Sequence, residues 1–216
     1  MIQVDSTTVT ITKNPYHYTD AKGGTVLTKP LTWEQLRTII ATNTLQNLGR
    51  SLSQLQEYRA FRETLAAQNI DFFGQVLEKL HWSQDEVDAV RASKPQLFTP
   101  ADDIVILKND FPYSFDPEIT HLLVWCKAEI PTDPKSTIGD MSPETRARIN
   151  RWMDVCFVQN PKLQIPWKNL CWFKNWAALQ SIPKLAHIHL MIRGLKPEQL
   201  EMILKDKESL VMLHEE

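Results

Sequence analysis

The chain is poor in several features that would place it in a familiar class. No stretch of its 216 residues approaches the roughly 20 consecutive apolar residues needed to cross a bilayer. Its N-terminus also lacks the basic stretch followed by an apolar run that marks a secretory leader. Cysteine is scarce. Cys126, Cys156 and Cys171 are odd in number and widely spaced, which excludes a disulfide framework and a zinc knuckle. Reduced, mostly buried thiols in an intracellular compartment are expected, cytoplasmic with the nucleus left open. A basic excess is missing too: 24 Lys and Arg stand against 26 Asp and Glu, giving a net charge of -2 and a pI near 6.3. General nucleic-acid binding, which depends on a concentrated cationic surface, is therefore not expected. There is no internal repeat.

What is present is enough apolar residue, 43% of the chain, for one substantial core. Residues 2–12 alternate and are rich in Val, Thr and Ile, predicting a short strand. Residues 14–30, with Pro15, Gly23, Gly24 and Pro30, read as a loop in which Tyr16, His17 and Tyr18 either contact a ligand or pin the loop. From Thr32 the periodicity becomes helical. Thr32 with Gln35, Ser51 with Gln54 and Ser83 with Glu86 have capping-box spacing, and a further helix is expected over 71–80. Arg50, Arg59 and Arg62 fall in this region, either as an anion site or as ordinary solvated charges.

Residues 95–100, bounded by Pro95 and Pro100, form the best boundary, dividing an N-terminal strand, loop and helical region, 1–98, from a β-rich region, 99–216, within one globular unit. Strands are predicted over 104–107 and 120–127, close enough to form an antiparallel hairpin. Ser142 and Pro143 open a helix, 170–176 and 186–193 are further strands, and Pro197 begins a last helix. The fold class is α+β.

The most informative stretch runs from Trp172 to Arg193. On a strand, alternate residues share a face. Ala186, Ile188, Leu190 and Ile192 are thus set against His187, His189 and Arg193. Likewise His121, Leu123, Trp125 and Lys127 share a face of the earlier strand. Three readings stay open for the histidines. An imidazole held in one tautomer can attack phosphorus while a second gives a proton to the leaving group; Lys174, Gln180, Ser181 and Arg193 would then donate to phosphate oxygens. Alternatively His121, His187 and His189 form a ligand face for Zn or Fe. The third reading is a structural pair. Trp125, Trp172 and Trp176 are candidates for stacking a base or sugar, or for the core. Asp110 either binds ribose hydroxyls or caps the turn before Pro112.

Three segments also resemble the fungal N-acetylglucosamine-induced protein family, whose members are largely uncharacterised. They are Leu31-Thr32-Trp33 through Tyr58, with Asn43 and Leu48-Gly49-Arg50-Ser51; Asn109-Asp110-Phe111-Pro112-Tyr113 through Lys127; and Trp172-Phe173-Lys174-Asn175-Trp176 with Gln180, Ser181, His187 and His189. A remoter similarity links 104–193 to the histidine-triad nucleotide-binding fold, in which the N-terminal helical region would pack on an antiparallel sheet with flanking helices. That resemblance implies a phosphate-bearing small-molecule partner, a nucleotide or nucleotide sugar, and no further cofactor. It puts Asp110, His121, Lys127, Asn175, Gln180, Ser181, His187 and His189 at matching positions. Only two alternating histidines are present, so either His187 or Met191 takes the nucleophile's place.

Overall fold

A computed structural model describes residues 17–212. The strand expected over 2–12 and Tyr16 lie outside them. The first helix, α1 (Trp33–Ala41), starts where both halves of its capping box close: Gln35 N–H donates to Thr32 Oγ1, and Thr32 N–H donates to Gln35 Oε1. The same reciprocal device opens α2 (Leu52–Ala67) at Ser51 and α4 (Gln84–Ser93) at Ser83. Asp71 caps α3 (Phe72–Leu80), accepting from Phe73 and Gly74 N–H. α5 (Pro143–Met153) begins with Ser142 as cap and proline at its first position, and its last turn widens into a π-turn over Asp154–Val158. α6 (Pro197–Lys205) closes the order.

Two expectations change. The stretch 14–30 contains an antiparallel hairpin, β1 (His17–Thr19) with β2 (Thr25–Leu27). Asp20 builds its turn by accepting from Lys22 and Gly24 N–H, and Gly23 takes φ +80. The strand expected over 170–176 stops early, as β5 (Leu170–Phe173), because Lys174 and Asn175 leave the ladder.

The main sheet is antiparallel in the order β3 (Ile104–Lys108), β4 (Ile119–Cys126), β6 (Ala186–Arg193), β5. β4 pairs Trp125 with His187, Leu123 with His189 and His121 with Met191, so these side chains share one face. The opposite face is the larger core: Ile106, Leu122, Val124, Ile188, Leu190 and Trp172 pack against Ile149, Trp152, Met153 and Phe157 of α5 and its π-turn. The histidine face is covered as well. α1 contributes Trp33, Leu36 and Ile39 to a cluster with Ile119, Phe173 and Met191. At the other end Leu77, Leu80, Trp82 and Val87 pack on Val105, Trp125, Ile182 and Leu185. Between these two clusters the cover is incomplete, and a cavity remains over the histidines.

Candidate functional site

The cavity, about 130 Å³, is floored by Leu123, Trp125, His187 and His189 and walled by α2 (Tyr58, Phe61), α3 (Phe72, Gln75, Val76, Lys79, Leu80) and the segment from Leu107 to Tyr113. The α3 residues lie three and four apart, hence on one helical face. Arg50, Asn175, Ser181 and Ile182 complete the lining.

His121, His187 and His189 are 6–7% exposed, so the polar face of the strands is buried rather than presented to solvent. Asn109 Oδ1 accepts from Phe111 N–H at 3.0 Å, which turns Asn109 Nδ2 toward His121 Nε2 at 3.3 Å. His189 Nδ1 lies 2.9 Å from the same nitrogen, so the two imidazoles share one hydrogen bond. Asn175 Nδ2 lies 3.2 Å from His189 Nε2. Both His189 nitrogens are thus committed, while His121 Nδ1 and Asn175 Oδ1 are buried without a partner. Phe173 stacks on His189 at 4.5 Å and Tyr113 on His121 at 5.7 Å.

His187 differs from the other two. Its Nδ1–H donates to the carbonyl of Leu185 at 3.0 Å, leaving Nε2 unprotonated and without a hydrogen bond among the described residues. The ring lies 4.5 Å from that of Trp125 and lines the cavity. Burial lowers all three imidazoles. His121 is pushed down to about 3, mainly by desolvation and secondarily by Arg50. His189 falls well below the ordinary value through desolvation, then His121, His187 and Arg50. His187 is lowered by desolvation, partly opposed by its bond to Leu185. At neutral pH the row is uncharged, and the charges beside it belong to Arg50, acting on His121 and His189, and to Lys174, acting on His187.

Other residues singled out in the sequence are dispersed. Trp172 lies on the opposite face, because it pairs with Leu190, and its Nε1–H donates to Asn150 Oδ1. Arg193 pairs with Ile119 at the far end of β6, where it meets Asn169 and the Trp33 ring. Lys127 follows the end of β4 and lies over the Trp82 ring. Gln180 braces the backbone carbonyl of Asn175, and Trp176 donates to Asn43 Oδ1. Lys174 is buried, which lowers its ammonium pKa, but does not line the cavity. Asp110 is at the mouth, exposed and paired with Lys79. His187, His189, Trp125, Asn175, Ser181 and Asp110 do line the cavity, and His121 supports it from beneath. Met191 is fully buried under α1 and does not reach it. The imidazole nitrogens do not converge: two bond each other and one bonds a carbonyl. Among the described residues no group of three His, Cys, Asp or Glu is set to hold a metal ion.

Sequence reasoning passed over Asn109 and Tyr113 as site residues, and offered Arg50 only with Arg59 and Arg62, as an anion site or as solvated charge. Their signal was membership of the family-like segments, but the cover they form is assembled from distant parts of the chain.

A family described as "Protein of unknown function (DUF3605)" matches residues 32–193, a span containing every residue of the cavity lining. The chain belongs to that family. N-acetylglucosamine-induced protein 1 of Candida albicans is 33% identical over 177 residues, 76% of this chain and 68% of the relative. The uncharacterized protein YPL067C of Saccharomyces cerevisiae is 30% identical over 161 residues, 74% of this chain and 77% of its own. A solved structure described as "Crystal Structure of HTC1" shares the fold at a TM-score of 0.62 and 28% identity, covering 81% of this chain and 94% of that one. The resemblance to N-acetylglucosamine-induced proteins therefore holds.

Proposed function

We propose that this DUF3605 protein binds a phosphate-bearing small molecule, a nucleotide or nucleotide sugar, in the cavity over the histidine row. The observation that carries the reading is the conjunction, in one enclosed space, of stacking rings, a fixed guanidinium and an unprotonated, unpaired imidazole nitrogen. Tyr58, Phe61, Phe72 and Trp125 line the cavity with aromatic surface, and Arg50 is the cation beside them. Calorimetry and thermal shift with a panel of nucleotides and nucleotide sugars test it: saturable binding is expected, and no binding at millimolar concentration by any member would refute it.

The His187 geometry favours a second reading, nucleotidyl transfer. With Nδ1–H held by the Leu185 carbonyl, Nε2 can attack phosphorus; a P–N bond forms and a P–O bond breaks. Both His189 nitrogens are already engaged in hydrogen bonds. The leaving group must then depart as an anion, as the sugar phosphate of a nucleotide sugar does when its P–O–P bridge opens. Water then hydrolyses the P–N bond. The histidine-triad resemblance supports this, with His187 rather than Met191 as nucleophile. In His187→Ala, hydrolysis of the nucleotide-sugar panel is expected to fall at least about 10²-fold; turnover surviving the change unaltered would place the nucleophile elsewhere. Binding without turnover in either form would leave a ligand sensor, and the induction recorded in the Candida relative's name agrees with such a role in amino-sugar response.

A further inference from the structure

Arg50 is built into the wall in a manner unlike the other arginines nearby. Its backbone is bracketed by β2: Leu27 N–H donates to the Arg50 carbonyl at 2.8 Å, and Arg50 N–H donates to the Thr25 carbonyl at 3.3 Å. Its Nε and Nη2 donate to the Phe111 carbonyl at 3.2 and 2.9 Å. The faces of the guanidinium are occupied by two rings, with Tyr58 at 4.7 Å and Tyr113 at 4.9 Å. What remains is one edge, Nη1, which makes no hydrogen bond among the described residues; no carboxylate there pairs with Arg50 either. The neighbouring cations are spent or solvated. Arg59 is paired with Asp20, Arg62 lies over the Phe72 ring, Lys79 is paired with Asp110 and Lys108 is exposed.

A guanidinium held rigid, without a counter-ion, beside imidazoles kept neutral, places an uncompensated positive charge in the cavity wall. Arginine's planar fork suits an oxyanion, and clamping removes most of the side-chain entropy that binding would otherwise cost. We propose that Arg50 is the anion-holding residue of the cavity, its free guanidinium edge seating a phosphate of the bound molecule. This rests on the reading that a phosphate-bearing molecule binds there, and it moves the main electrostatic contact away from the residues the histidine-triad resemblance implies and onto the helical cover.

The test uses the full chain with UDP-glucose, AMP and inorganic pyrophosphate as charged probes and uridine and adenosine as uncharged ones. Arg50→Met is expected to weaken binding of the charged probes about 10- to 100-fold, with Arg50→Lys intermediate and any nucleoside binding unchanged. Because Arg50→Met also removes a brace on the Phe111 carbonyl, a second measurement uses the wild-type chain: phenylglyoxal labelling of arginines, mapped by mass spectrometry. A saturating charged probe is expected to protect Arg50 and to leave Arg37 and Arg193 reactive. Charged probes that bind with full affinity to Arg50→Met, or that leave Arg50 labelling unchanged, would overturn the assignment while the binding reading stood. If no charged probe binds the wild-type chain, both fall.

Discussion

At the scale of single residues, the histidine row is held by directional bonds, and its neutrality has a consequence for stability. An imidazole whose folded pKa lies below its unfolded value binds fewer protons folded than unfolded, so stability is full above pH 6.5 and declines as pH falls. With His121 lowered to about 3, the decline continues through the whole mildly acidic range. Asp103, whose burial raises its carboxyl, works in the opposite sense at lower pH. The melting temperature is thus expected to drop from pH 7 to pH 5, and His121→Asn, which keeps a hydrogen-bonding partner for His189 Nδ1, should flatten that slope. A wild-type melting temperature constant over the same interval would contradict the assignment of three neutral buried imidazoles.

Among elements, the capping boxes show how far local sequence reaches. Ser51 and Gln54 satisfy each other's backbone donors regardless of what lies on top of α2. Ser51→Ala should therefore cost about 1 kcal/mol in a denaturant titration, with little change in ligand binding. The joint between β2 and the start of α2 is different, being set by close approach. A Cβ on Gly49 would come within 2.7 Å of the Thr25 carbonyl oxygen, a backbone atom that cannot move without disturbing the hairpin. Gly49 also supplies the carbonyl that accepts from Ser114 N–H, so the same residue fixes the loop carrying Tyr113. Gly49→Ala is expected to destabilise by about 1–3 kcal/mol and, unlike Ser51→Ala, to weaken ligand binding as Arg50 shifts. Equal effects of the two substitutions on binding would argue against this joint positioning Arg50.

In the whole molecule, the sheet is a partition with one apolar face sealed by α5 and α6 and one mixed face only partly covered by α1 to α4. Trp152 is the centre of the sealed side, fully buried, stacked on Phe98 at 4.3 Å and donating to the Leu210 carbonyl at 2.7 Å. Trp152→Ala should cost about 3–5 kcal/mol while leaving the cavity residues untouched. Cys126 and Cys156 lie in the same core, and burial raises both thiols. A thiol reagent is expected to leave these two unlabelled in the native protein and to label all three cysteines in denaturant. Prompt native labelling of Cys156 would contradict the packing around α5.

The sequence by itself determined the elements whose signals are local. These are the caps at Thr32, Ser51 and Ser83, proline at the start of α5 and α6, and the alternation that puts His187 and His189 on one face with His121 and Trp125 across the ladder. It also carried the family resemblance. Only the tertiary structure decided which polar groups meet. Trp172 went to the far face because its register with Leu190 is set by strand pairing, and Arg193 was carried to the other end of β6, away from the cavity. Arg50 and Tyr113 entered the cavity from segments 63 residues apart in number, joined through the Ser114 bond to Gly49 and the Arg50 bonds to Phe111. Such meetings depend on long-range packing and on the orientation of a single amide, Asn109, and neither has a periodicity or spacing that a linear reading can detect.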